Sequence, residues 1–227
     1  MTKGILAVWS DITPEAAADY DRWYEEEHMF ERLVVDGFHR ARHYRTVSGS
    51  QMFFTYFVTD DSRVMKSPAY FESANNSSDW TKRILPHFRN TNRTAFNVVR
   101  RIGWGFGAAA MTIRMGAADG RDGELVNWLS KEVFPALLEA PGIIGLQIWE
   151  RDLDSTVLKV QDASLRGKED ETSPCTVFVE ATDMAALVAL EDGRLSADSL
   201  AVHGADDIII SRHQLMNYGE KEPMPEI

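Results

Sequence analysis

Residues 23–45 read WYEEEHMFERLVVDGFHRARHYR, and residues 128–150 read WLSKEVFPALLEAPGIIGLQIWE. Aligned without a gap, Trp23 falls on Trp128, Glu27 on Glu132, Leu33 on Leu138, Gly37 on Gly142 and Tyr44 on Trp149, an offset of 105 in a chain of 227 residues. A repeat at close to half the chain length points to two copies of one folding unit. The differences matter as much: His28, Arg32 and Arg42 stand opposite Val133, Leu137 and Gln147. The first copy carries polar chemistry and the second carries packing.

Outward from the first copy, residues 4–9 are short and apolar and read as a strand. Thr13, Pro14 and Glu15 make a helix start, and Tyr20, Trp23, Tyr24, Phe30 and Leu33 recur at steps of three and four. Gly37 ends that helix. Strands are expected at 38–47 and 52–58 around a Ser48-Gly49-Ser50 turn, helical regions at 60–71 and 80–89, and a strand at 94–101. The order is β-α-β-β-α-β, the ferredoxin-like pattern. The second half repeats it, with strands expected at 109–115, 144–151, 176–181 and 207–213 and helices at 122–138 and 184–191. This divides the chain into residues 1–103, the expected active half, and 104–227, mainly scaffold. Residues 152–173 are polar and charged and read as a long surface insertion loop. Trp104 and Phe106, in the IGWGFG joint, are expected to pack between the halves. The tail GEKEPMPEI is expected to fray.

Hydrophobic content is 44% and charged content 26%, an ordinary globular balance. A net charge of −11 argues against nucleic acid or an anionic membrane surface as partner. No stretch approaches the ~20 apolar residues of a membrane span. The single cysteine, Cys175, excludes an internal disulfide and reads as a small buried hydrophobe. With no signal-like apolar run at the start, a cytoplasmic location is the expectation.

Trp23-Tyr24, Glu27-His28, Glu31-Arg32-Leu33, Asp36-Gly37-Phe38 and the basic strand Arg40, Arg42, Tyr44 resemble the dimeric α+β-barrel superfamily, and within it the EthD-like branch; Ser67-Pro68-Ala69-Tyr70 is similar to that branch too. Asp36 departs from the branch's usual proline, which the second half keeps as Pro141. The resemblance implies an α+β fold of two ferredoxin-like units whose sheets face each other to close a barrel, here within one chain. The superfamily includes isomerases, cyclases, cofactor-free monooxygenases, haem-dependent peroxidases and proteins of no known activity, so the fold does not choose a reaction.

Tyr20, Tyr24 and His28 are spaced to share one helix face. A histidine beside Glu27 and Glu31 suits a general acid/base; the alternative is a helix-end or core histidine. Glu27 recurs as Glu132, which favours a structural role. Alternation puts Phe38, Arg40, Arg42 and Tyr44 on one strand face and His39, Ala41, His43 and Arg45 on the other. The arginines would bind a carboxylate or phenolate or pair with buried acids. His28, Tyr24 and Arg42 are the candidate catalytic residues. Trp9, Tyr20, Trp23, Glu31, Arg32, Arg40, Tyr44, Tyr56, Tyr70 and His87 are candidates for holding substrate, against core packing, a solvated helix end or ion pairing as their alternatives.

No metal-ligand spacing is present, although His28, His87 and His213 could converge in three dimensions. The resemblance leaves haem, with His87 as axial ligand, as a minor alternative to a cofactor-free site. No phosphate loop, nucleophile elbow or CxxC motif occurs. The expected activity is cofactor-independent proton transfer on a small cyclic or aromatic oxygenated metabolite, as an isomerase, cyclase or lyase. Cofactor-free oxygenation of phenols and a non-catalytic ligand-binding or structural role are the alternatives. The apolar third strand and exposed sheet edges are compatible with a homodimer.

Overall fold

The computed structural model describes residues 3–118, 120–190 and 192–221. Eight strands form one closed barrel: β1 (Gly4–Ile12), β2 (Phe38–Ser48), β3 (Phe53–Thr59), β4 (Phe88–Gly103), β5 (Ala109–Ala117), β6 (Ile143–Arg151), β7 (Cys175–Ala181) and β8 (Ala205–Glu220). Around the barrel the order is β1-β3-β2-β8-β5-β7-β6-β4. Each half therefore runs in the ferredoxin-like order, β4-β1-β3-β2 and β8-β5-β7-β6. The halves join by the same exchange twice: β2 pairs with β8, and β4 pairs with β6, both antiparallel. Closure pairs every strand on both sides, so the sheet edges that would support a dimer are consumed.

The two long strands explain the main boundary errors. β4 starts at Phe88, six residues before the sequence expectation, because its first residues pair with the end of β1. β8 runs on to Glu220, where Glu220 and Gly219 pair with Arg40 and Ala41. Residues expected to fray are thus partly strand, and 222–227 lie outside the described residues.

Both faces of the barrel wall are largely buried, except along β8 and the end of β4. The lumen is filled by rings, with Trp9 on Phe54 at 5.0 Å and Trp149 on Phe178 at 4.8 Å, and with Tyr44, Tyr56 and Phe96 in the same cluster. Outside the wall, the helices of each half cover their own sheet. Leu129, Val133, Phe134 and Leu146 lie in the second cover; Met29, Leu33, Phe38 and Phe57 lie in the first.

The repeat extends to an irregularity of the helix. In the first half, α-helix Ala17–Trp23 passes through a π turn, Tyr24–His28, into α-helix Met29–Leu33. In the second, Asp122–Trp128 passes through a π turn, Leu129–Val133, into Phe134–Leu138. The two π turns stand at the same offset as Trp23 and Trp128. Gly37 and Gly142 then take φ of +90° and +81°, a left-handed conformation that side chains resist. A Cβ on Gly37 would meet Val64 Cγ2 at 2.7 Å, and one on Gly142 would meet Ala186 Cβ at 2.7 Å. Gly37→Ala and Gly142→Ala are each expected to lose at least the ~1–2 kcal/mol of the left-handed backbone, measured by urea unfolding. Equal stability of either variant and wild type would contradict that turn.

The insertion is no free surface loop. It forms short helices, Leu153–Thr156 and Gln161–Leu165, laid against the first half. Val160 joins the core with Met29 and Leu33. Glu171 exchanges backbone hydrogen bonds with Thr91 and Arg93, at 2.8 and 2.9 Å. Its polar residues are anchors, with Asp152 accepting from Ser62 Oγ at 2.6 Å and Asp162 accepting from Arg32 and Ser77. Trp104 is also unlike its expectation: it is 94% exposed rather than packed between the halves.

Candidate functional site

The π turn builds the candidate site. Its i→i+5 geometry lays the His28 ring flat on Trp23, with centroids 3.9 Å apart and planes at 19°. Tyr24 meets His28 edge-on at 5.4 Å and lies flat on His43 of β2 at 4.1 Å. Tyr20 packs on Tyr24 at 5.0 Å. Trp23 is fixed by its Nε1, which donates to Thr81 Oγ1 at 3.0 Å.

His28 Nδ1 lies 3.3 Å from Glu31 Oε2. The carboxylate selects the tautomer that carries its proton on Nδ1, leaving Nε2 as a free acceptor. Burial lowers the His28 pKa below its ordinary value and outweighs the pull of Glu31. The ring is therefore neutral at pH 7. Glu27 does structural work, as its recurrence suggested: Ser78 Oγ, which caps the helix starting at Asp79, donates to Glu27 Oε1 at 2.5 Å.

His28 lines a small cavity of about 50 Å³ between helix and sheet, with Tyr24, Arg32, Tyr70, Leu6, Val8, Phe57, Leu85 and Phe88. The insertion supplies Val160, Asp162 and Arg166, and β4 supplies Arg93. Arg32 is paired with Asp162 and donates to Ser73 Oγ at 2.7 Å. Arg166 is paired with Asp170. Arg93 is different. It is 8% exposed and among the described residues pairs with no carboxylate, donating to Tyr70 hydroxyl oxygen at 2.8 Å and Thr156 carbonyl oxygen at 3.1 Å. Val160 and Arg93 also line an adjoining outer groove of about 670 Å³ walled mainly by the insertion.

The sequence-predicted residues divide between two faces of the sheet. His28, Tyr24, Tyr20, Trp23, Glu31, Arg32 and Tyr70 gather on the helix side, although Glu31 lies behind the histidine rather than on the cavity wall. Trp9, Arg42, Tyr44 and Tyr56 lie in the lumen, and Arg40 and Tyr56 line its mouth. A register shift between Phe38 and Arg40 puts Phe38 with Ala41 on the helix side while Arg42 and Tyr44 face inward. Arg42 is an ion-pairing residue, held by Glu180 of β7. It and Tyr44 are thus separated from His28 by the barrel wall, which removes the joint role expected of them.

His87 is absent from the cavity wall. Its Nδ1 lies 2.8 Å from Thr13 Oγ1 and 3.6 Å from Glu15. A haem does not fit this arrangement: the imidazole is engaged elsewhere, and about 50 Å³ cannot take a macrocycle. His28, His87 and His213 do not converge, and among the described residues no three His, Cys, Asp or Glu side chains come together as metal ligands. Sequence reasoning missed Arg93, Asp162 and Arg166. Arg93 carried a signal, since alternation along TNRTAF places it opposite Thr94. Asp162 and Arg166 come from a segment with no periodicity and carried none.

These features define a class. The chain has the α+β-barrel fold of paired ferredoxin-like units, the fold of the dimeric α+β-barrel superfamily, with both units in one polypeptide. No family model matches it, and no curated protein matches it. Among solved structures, it is similar to an anthrone oxidase-like protein at TM-score 0.68 and 10% identity, covering 98% of this chain and 94% of that one. A candidate monooxygenase from Lactobacillus acidophilus gives TM-score 0.61 at 9% identity, covering 97% of both chains. A candidate chlorite dismutase gives TM-score 0.57 at 11% identity, covering 96% of both. At such identities the likeness is one of fold.

Proposed function

We propose that the chain is a cofactor-independent enzyme that moves a proton on a small cyclic or aromatic oxygenated metabolite, within the EthD-like branch that residues 23–44 resemble. The observation that carries this reading is His28: largely shielded from solvent, neutral, oriented by Glu31, and part of the wall of a small cavity. His28 is the general base, and the acidic C–H or O–H of the substrate is its target. Arg93 and the Tyr70 hydroxyl it holds are the donors nearest to hand for the developing enolate or phenolate. They replace Arg42 and Tyr44 in that role. The cavity is too small for a ring as it stands, so admission requires Val160 and Asp162 to withdraw and join the cavity to the outer groove.

A second reading shares the first step. The anthrone oxidase-like protein and the monooxygenase candidate have this fold, and deprotonation of a phenolic substrate by His28 would prepare it for dioxygen without a cofactor. A non-catalytic ligand-binding or structural role is the remaining alternative.

The test is exchange of an acidic proton for deuterium in D2O, followed by NMR over a panel of cyclic ketones and hydroxylated aromatics, with an oxygen electrode run in parallel. Proton transfer gives exchange or isomerisation without oxygen uptake; oxygenation consumes oxygen. The lowered pKa fixes the sign. Rate falls as His28 gains a proton, at a pH below the ordinary imidazole value of about 6.5, and is level through neutrality. A kcat/KM profile still climbing between about pH 7 and 8 would exclude His28 as the base. Ligand binding with neither exchange nor oxygen uptake would favour the non-catalytic role.

A further inference from the structure

The lumen opens on one side into a cavity of about 270 Å³ lined by Lys3, Ile5, Arg40, Tyr56, Val58, Val98, Val99, Arg100, Arg101, Phe106 and Gln147. Its charge is unlike the rest of the chain. Net charge is −11, yet four cations stand around this mouth. Lys3 is engaged by Asp60 at 3.6 Å. Arg40 forms no salt bridge among the described residues and lies over the Phe106 ring at 5.1 Å. Among the described residues neither Arg100 nor Arg101 forms a salt bridge, although Arg101 stands close enough to the Glu180 carboxylate to help hold it ionised. Both arginines line the cavity, just past the register shift between Val98 and Arg100, where they pair in step with Ile148 and Gln147.

The floor is apolar and aromatic. Phe106 is half exposed and lies over the Arg42 guanidinium at 4.1 Å, and Arg42 is neutralised by Glu180 behind it. The wall thus offers rings and valines on one side and guanidinium groups outside any salt bridge on the other. An engineered cavity of about 150 Å³ suffices for benzene, and pockets for small ligands start near 300 Å³. A one- or two-ring molecule matches the size. Forked N–H donors match a carboxylate better than any neutral group.

We infer that the barrel mouth binds a planar aromatic carboxylate, its ring against Tyr56, Val58 and Phe106 and its carboxylate on Arg100 and Arg101. This site lies on the opposite face of the sheet from His28 and does not depend on the activity proposed there.

The probe is 2-naphthoate, with neutral 2-naphthamide as its match in shape, titrated by calorimetry at low salt. Naphthoate is expected to bind one to one and at least about tenfold tighter than the amide. Arg100→Ala/Arg101→Ala is expected to weaken naphthoate by at least about tenfold and leave the amide unchanged; both side chains are exposed, so the variant keeps the fold. Arg101→Glu should weaken the acid further. Equal affinity for acid and amide, full affinity in the double variant, or no binding of naphthoate would each overturn the inference. So would loss of binding in His28→Phe, which would place the acid in the helix-side cavity.

Discussion

Replacing His28 with alanine is expected to lower the proton-transfer rate by about 10²-fold or more, the range a positioned general base supplies. The loss should fall on kcat, since the imidazole touches the reacting proton and not the remainder of the substrate. Packing alone could also be disturbed, because His28 lies on Trp23. Two measurements separate these effects. Added imidazole should restore part of the rate in His28→Ala, which a purely structural loss would not allow. Glu31→Ala should lower the rate less, because it removes the acceptor that orients Nδ1 and keeps the base. A His28→Ala enzyme with wild-type turnover would end the assignment.

Glu180→Ala is expected to cost about 3–5 kcal/mol of stability, the penalty for leaving a buried charge without its partner. Arg42 is 1% exposed, and its carboxylate partner among the described residues is Glu180. Neutralising the arginine instead is not open to the protein. A guanidinium stays protonated at any ordinary pH, with or without its partner. The cost should therefore appear in urea unfolding at neutral pH. Arg42→Met/Glu180→Leu should recover most of it, because an apolar pair of similar volume removes the stranded charge. A double variant no more stable than Glu180→Ala would mean that the loss comes from packing rather than charge.

The architecture was legible because its signals are local and repeated. The Trp23 and Trp128 copies, the two glycines after the helices and the strand alternation all agree with one order of elements, and the barrel follows from having that order twice. The candidate site was legible on the helix and less so on the sheet. Helical spacing sufficed to group Tyr20, Tyr24 and His28. Alternation along β2 separated the two faces correctly from Arg40 to Tyr44, but in a barrel both faces are buried, so composition could not say which face meets the helices. Arg42 and Tyr44 were assigned to the wrong company for that reason. The insertion was misread because polarity usually means solvent. Here Asp162 reaches across 130 residues of sequence to Arg32, and no local pattern records such a pairing.

In a barrel assembled from two identical chains, every substitution is made twice, and a residue suited to one cavity must be tolerated in its twin. Fusion of the two sheets into one polypeptide lifts that constraint. His28 and Val133 occupy matching places on matching helices, one a proton carrier by our reading and the other plain filling, and neither has to serve as the other. Selection is free to sharpen one nest while the opposite one is tuned for rigidity alone.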